Sequence, residues 1–362
     1  MKRIVIDYST TFYSQGPPTG IPRTVESISD AIVETCEHEV CFVVVNEKKR
    51  SFAFLSSDKE KILNLYIPQM NDIFICPGAP WAFEEYISII KSIESSVFSL
   101  KVIIYDLIPY LFPHFYENPD FGSYYFNFVT QLVSHASSIY CISECTKKDL
   151  LTNIKLPSLE RNTKVIKLGN DFNGNKRVDG DCDLKLNRFK NNILCVGTIE
   201  FRKNQFFLLN AYKRFILEKR TGPDLLIIGK IGYLNNQIIH HISEDPILKS
   251  RVKILDCVND DELAYLYANC LFTVYPSLYE GWGLPISESL MYGKNVICSN
   301  TSSMVEIAPD LCHFADPIKQ SDWVKLMSSL CFEDNFREEN EKRISSGFQK
   351  YKWQDTSKSL LS

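Results

Sequence analysis

Short β-branched apolar runs alternate with helix-length stretches along this 362-residue chain, in two successive series. The first series comprises residues 4–7, 40–45, 73–76, 102–105, 138–142 and 164–168. The second comprises residues 193–196, 224–228, 252–255, 272–275 and 295–298. Strands that are apolar throughout must be covered on both faces, which calls for parallel sheets with helices on either side. The pattern therefore predicts an α/β chain of two Rossmann-like doubly wound domains, each binding ligands at its strand C-termini. Length agrees, since 362 residues exceed what one ordinary core accommodates.

Residues 169–186 are rich in Gly, Asn and Asp and poor in apolar side chains. They separate the two series, so the expected domains are 1–170 and 191–340, with 171–190 as a linker. Residues 341–362 end in an amphipathic helical pattern around Trp353. A net charge of −4 lacks the basic surplus that nucleic-acid binding requires. No run of about 20 apolar residues is present, so no helix is expected to span a bilayer. The start, MKRIVIDYST, carries Asp7 inside its short apolar run and reads as a first strand, not a signal peptide. Most of the twelve cysteines lie in apolar runs, where free thiols act as small hydrophobes. The six histidines show no metal-ligand spacing. These features predict a reduced, cytoplasmic protein without a metal.

Residues 275–306 hold the densest chemistry. Glu280 ends a loop that leaves an apolar strand, and a Gly281-Trp282-Gly283-Leu284-Pro285 turn follows. Pro285 suits the first position of a helix, where its missing N–H costs nothing. Glu288 is then expected in the first turn, where the dipole favours an anion, and Gly293 suits the helix end. Gly281 and Gly283 leave backbone N–H groups bare for an anionic or polyhydroxy ligand. Taken singly, each acid is better explained by an ordinary local role, which for Glu288 is complementation of the helix dipole.

Gly197-Thr198-Ile199-Glu200-Phe201-Arg202-Lys203-Asn204 follows the first strand of the second series and precedes a helix predicted over 205–219. A glycine turn with two cations before a helix suits a diphosphate. Arg offers a planar fork to phosphate oxygens and Lys a point charge. A solvated Arg-Lys pair is the plain alternative.

Together these strings resemble the signature of family-4 retaining glycosyltransferases of the GT-B fold, E-G-F-G-L-P with a second Glu, preceded by V-G-T-I-E-P-R-K-N. Trp282 and Phe201 replace the usual Phe and Pro. The resemblance implies two Rossmann-like domains facing a central cleft, with the terminal helix packing back toward the first. It assigns Glu280 to donor-sugar hydroxyls, Glu288 to the ribose diol, and Arg202 and Lys203 to the leaving diphosphate. Gly197, Thr198, Gly281, Trp282, Gly283 and Leu284 would line the donor site, and Lys230, in a Gly229-Lys230 turn, would lie near the nucleotide. Ser and Thr within 300–303, with Glu306, resemble a further donor-lining string.

In the first domain, Thr19-Gly20-Ile21-Pro22-Arg23 resembles the T-G-I-x-R loop of bacterial polysaccharide members. That resemblance carries over Gly20 and Arg23, whereas spacing alone describes a plain strand–helix loop. Tyr105-Asp106-Leu107-Ile108-Pro109 matches H-D-L-I-P with Tyr for His. Asp106 is thereby a candidate catalytic residue, though an Asp before a turn is often only a turn-former. The Tyr105 hydroxyl could supply one hydrogen bond in place of the imidazole. Ser143 reads as a helix cap.

The resemblance implies a metal-independent retaining transferase without a cofactor, taking a hexose from a nucleoside-diphospho-sugar, GDP-mannose before a UDP-sugar. The acceptor would be an oligosaccharide or lipid-linked saccharide of O-antigen or capsule, with peripheral contact to the inner membrane face. A GT-B nucleotide-sugar epimerase or a non-catalytic sugar-nucleotide binder would share the fold.

Overall fold

The structure is a computed structural model that describes residues 2–14, 20–93, 98–171, 186–232 and 236–362. The chain forms two compact units, Met1–Gly169 with Tyr351–Ser362, and Asn170–Lys350. Most of the linker predicted at 171–190, and Thr19 of the T-G-I-x-R loop, lie outside the described residues.

The first unit holds an eight-stranded sheet: β1 (Arg3–Asp7), β2 (Glu39–Asn46), β3 (Ser51–Leu55), β4 (Ile62–Leu65), β5 (Asp72–Cys76), β6 (Phe98–Ile104), β7 (Ser138–Cys141) and β8 (Thr163–Val165). Their order is β4-β3-β2-β1-β5-β6-β7-β8. The strands from β2 through β8 in that order are parallel, and β3 and β4 add antiparallel to one edge. The parallel strands are the predicted ones, because an apolar run buried on both faces is readable. The β3–β4 extension went unpredicted: β4 is exposed along its whole length and lacks that signal.

Two buried carboxylates brace this sheet. Asp72 receives the Arg3 guanidinium at 2.6 Å and the Tyr66 hydroxyl at 2.7 Å. Asp7, at the end of β1, accepts from the Ser9 N–H at 3.0 Å and the Tyr86 hydroxyl at 2.7 Å. Burial pushes the Asp7 carboxyl up, against the lowering effect of those donors.

The helix Trp353–Leu361 belongs to this unit although it ends the chain. Trp353 lies against Gly169, where an added Cβ would come within 2.5 Å of the indole. The Lys101 ammonium donates to the Leu360 carbonyl at 2.6 Å, and the Thr356 hydroxyl to the Lys167 carbonyl at 2.9 Å. Residues 341–347, expected at the front of the terminal helix, instead finish the helix Asp334–Gly347 of the second unit.

The second unit holds β9 (Ile193–Val196), β10 (Leu225–Ile228), β11 (Val252–Leu255), β12 (Phe272–Tyr275), β13 (Val296–Ser299) and β14 (His313–Ala315). All pairs are parallel, in the order β11-β10-β9-β12-β13-β14. The order reverses between β9 and β12, the switch point at whose strand C-termini doubly wound sheets bind ligands.

Candidate donor site at the strand switch point of the second unit

The loop after β9 is built on close backbone contact. Gly229, after β10, sits so near Gly197 that an added Cβ would meet its carbonyl oxygen at 2.1 Å. Ile199 N–H donates to the Lys230 carbonyl at 2.9 Å, and Gly232 N–H to the Ile199 carbonyl at 3.0 Å. The chain then makes a single 3₁₀ turn, Phe201–Lys203, and Asn204 adopts φ 59 before the helix Gln205–Lys219. The Asn204 amide donates to the carbonyls of Pro276 at 3.1 Å and Pro317 at 2.9 Å. Leu278 N–H adds a bond to the Arg202 carbonyl at 2.9 Å. The two strand-end loops are thus tied together by one backbone bond and the Asn204 side chain, before any charged group meets.

Across that junction, both Glu280 carboxylate oxygens are engaged by cations. Arg202 Nη1 donates to Oε2 at 2.5 Å and Lys203 Nζ to Oε1 at 2.6 Å. Arg202 Nη2 holds Glu200 at 2.7 Å, while Nη1 also reaches the Tyr279 carbonyl at 3.0 Å. The Tyr275 hydroxyl joins the group, receiving Lys203 Nζ at 2.6 Å and donating to Glu280 Oε1 at 3.1 Å. From the far side, Glu280 N–H donates to the Ser302 hydroxyl at 2.9 Å, and the Ser303 hydroxyl donates to the carbonyls of Glu280 and Trp282, each at 2.8 Å.

Glu280 is only 6% exposed. Burial alone would raise its carboxyl, but Arg202 and Lys203 outweigh it and hold the group down to about 2. Lys203 is lowered by the same burial, with Glu280 opposing. Glu280 is therefore ionised at any working pH, and the cluster is a preformed charged site.

Glu288 lies on the next helix, Leu284–Met291, which starts after Gly283 at φ 138. Pro285 is its second residue and Glu288 its fifth, so Glu288 falls beyond the first turn. The expected stabilisation by the helix N-terminus is corrected accordingly. Buried away from water, this side chain instead accepts the Tyr267 hydroxyl at 2.9 Å. Tyr267 in turn stacks on Tyr292, with centroids 5.6 Å apart. The helix closes at Gly293, φ 71, whose N–H bonds the Leu290 carbonyl while Lys294 N–H bonds that of Ser289. This Schellman closure matches the predicted end.

Residues 183–345 match the family described as Glycosyl transferases group 1. The second unit is a glycosyl transferases group 1 domain. Over 124 residues, 34% of this chain, the sequence is 39% identical to O-antigen chain mannosyltransferase B of Escherichia coli. It is 23% identical, over 95% of this chain, to the serotype-specific mannosyltransferase WbdA of Escherichia coli. The matches span 32% and 46% of those relatives' lengths. The crystal structure of Anabaena Alr3699/HepE in complex with UDP and glucose superposes with a TM-score of 0.68 at 14% identity, covering 100% of this chain and 98% of that one. The fold is GT-B.

Within the group 1 domain, Gly281 and Gly283 are buried, Trp282 and Leu284 half-buried, and Thr198 and Lys230 exposed. The Trp282 indole nitrogen is buried without a partner among the described residues. Glu200, Tyr275 and Tyr267 went unrecognised in the sequence, because a Glu beside an Arg-Lys pair and tyrosines in apolar segments carry no distinguishing pattern.

The remaining predicted residues lie in the first unit. Gly20, φ 60, precedes the helix Ile21–Thr35, with open space where a Cβ would be. Asp106 accepts the Ile108 N–H at 2.9 Å, the turn-forming arrangement the sequence left open. The Tyr105 hydroxyl, expected to be available in place of the imidazole, is buried and donates to the Pro77 carbonyl at 2.5 Å. The hydroxyl of Ser143 caps the helix Glu144–Asn153 as predicted.

Proposed function

We propose that this chain is a retaining, metal-independent glycosyltransferase that moves a hexose from a nucleoside-diphospho-sugar to a saccharide acceptor. The first-choice donor is GDP-mannose, and the acceptor is a lipid-linked O-antigen or capsule intermediate at the cytoplasmic membrane face. The observation that carries this reading is the meeting of Arg202, Lys203 and Glu280 where strand order reverses. The mannosyltransferase names of the O-antigen relatives support the sugar and the product class.

In this reading Arg202 and Lys203 face the diphosphate and offset the charge that grows as the glycosyl bond breaks. A leaving-group oxygen takes the acceptor hydroxyl proton on the same face of the sugar, so the anomeric configuration is kept. Preorganised cations aimed at developing charge are the main catalytic contribution. Glu280 keeps a lone pair on Oε2 beyond Arg202, enough to accept one donor-sugar hydroxyl. Glu288 takes the ribose diol. Gly197 and Gly281 to Leu284 line the donor, with Thr198 and Lys230 at its margins, and Gly20 is kept as a ligand-binding residue of the first unit on the resemblance of its loop. Asp106 is kept as a candidate catalytic residue of the first unit. Neither Glu serves as a covalent nucleophile, which separates this chemistry from two-carboxylate glycoside hydrolysis.

A panel of GDP-, UDP- and dTDP-sugars, offered with a lipid-linked saccharide and followed by mass spectrometry with and without EDTA, tests the proposal. The expected result is transfer from a GDP-sugar with retained configuration and unchanged yield in EDTA. Conversion of donor without acceptor would instead mean epimerisation, and binding without turnover a sensor. Loss of transfer in EDTA would overturn the metal-independent mechanism.

A further inference from the structure

Lys203 is held differently from Arg202. Among the described residues Arg202 reaches at least three acceptors, Glu280, Glu200 and the Tyr279 carbonyl, so it stays placed when any one is drawn to a ligand. An ammonium has three N–H groups and no planar fork, so its direction depends wholly on its partners. Among the described residues two acceptors reach Lys203 Nζ: Glu280 Oε1 and the Tyr275 hydroxyl, each at 2.6 Å. If Glu280 turns toward a sugar hydroxyl, Tyr275 is the partner that remains.

We infer that Tyr275 is the positioning residue of the phosphate-facing lysine, its hydroxyl fixing the Lys203 ammonium so that the third N–H is presented to the ligand. This rests on the donor site proposed above. Tyr275 is the last residue of β12, 4% exposed, with its ring 5.0 Å from Nζ. Burial, then the neighbouring Glu280, raise its hydroxyl well above the usual range, so it stays a neutral phenol. A neutral phenol can accept from the ammonium and donate to the carboxylate at once, which is the observed triangle. The space beside Nζ is left bare by Gly197. A Cβ built there would lie 3.9 Å from Nζ, and its three nearest neighbours would all be atoms of the Lys203 side chain. A phosphate oxygen has room on that side, and Tyr275 itself touches no substrate.

The test is a double-mutant cycle on the full chain: wild type, Tyr275→Phe, Lys203→Ala and the double variant. Affinities for GDP and UDP are read by calorimetry, and by saturation-transfer NMR where binding is weak. Phenylalanine keeps the ring and its packing, and an unchanged thermal midpoint confirms an intact fold. Tyr275→Phe is expected to weaken the better-bound nucleoside diphosphate about tenfold, the scale of one hydrogen bond to a charged group. In the Lys203→Ala background the same change should alter affinity less than about twofold, because the positioned group is gone. Equal losses in both backgrounds, or no loss in either, would overturn the inference and leave Tyr275 a packing residue. If Lys203→Ala is itself without effect, or neither nucleotide binds, the donor-site reading falls and this inference with it.

Discussion

Glu280 pairs a desolvated carboxylate with two cations and a phenol, and its protonation state is tied to the stability of the second unit. The folded group titrates at about 2 against an ordinary 4.5, so the unfolded chain binds the extra proton first and stability rises with pH across that window. The contribution is complete above about 4.5 and is lost as pH falls toward about 2. Denaturant unfolding of wild type and Glu280→Gln between those limits should show a flatter pH dependence in the variant. Parallel curves would mean the cations do not stabilise the ionised form. This residue-scale chemistry was only half legible. Arg202, Lys203 and Glu280 could be picked out by type and position. That both carboxylate oxygens face the cations depends on Tyr275, Glu200, the Leu278–Arg202 backbone bond and the Asn204 amide, none with a sequence pattern of its own.

Elements were read more easily than contacts. Parallel strands buried on both faces announce themselves as apolar runs, and β9, β11 and β12 were placed to the residue. The exposed β4 and the three-residue β14 were missed, because neither presents a run long enough to separate from a loop. The helix at Leu284 begins one residue earlier than proline chemistry suggested, since Gly283 turns the chain first. The pairing of the loops after β9 and β10 is the element-scale feature on which the site depends. Gly229→Ala places a Cβ 2.1 Å from the Gly197 carbonyl at a backbone φ of 155. Forcing these loops apart should cost about 1–3 kcal/mol, the usual scale for overpacking, and weaken nucleotide binding with it. Thermal unfolding and calorimetry on the same sample check both effects, and an unchanged midpoint would show that the loops part freely.

At the scale of the whole molecule, each doubly wound unit has its own sheet and core, and the end of the chain returns to complete the first unit. Trp353, 7% exposed and packed on Gly169, anchors that return. Trp353→Ala should destabilise the first unit by about 3–5 kcal/mol, as large core truncations do. A denaturant midpoint equal to wild type would mean the terminal helix is dispensable. The two-unit architecture was legible from the strand series alone, while the exact exchange of chain at 350–351 was not, since helical patterns run on both sides of it. In the proposed reaction the charged cluster of the second unit stabilises a leaving diphosphate. Turnover of Arg202→Ala with the donor and acceptor identified by the sugar-nucleotide panel tests this most directly. The rate should fall by about 10²–10³, as when a preorganised oxyanion donor is removed. A fall of less than about threefold would contradict the account.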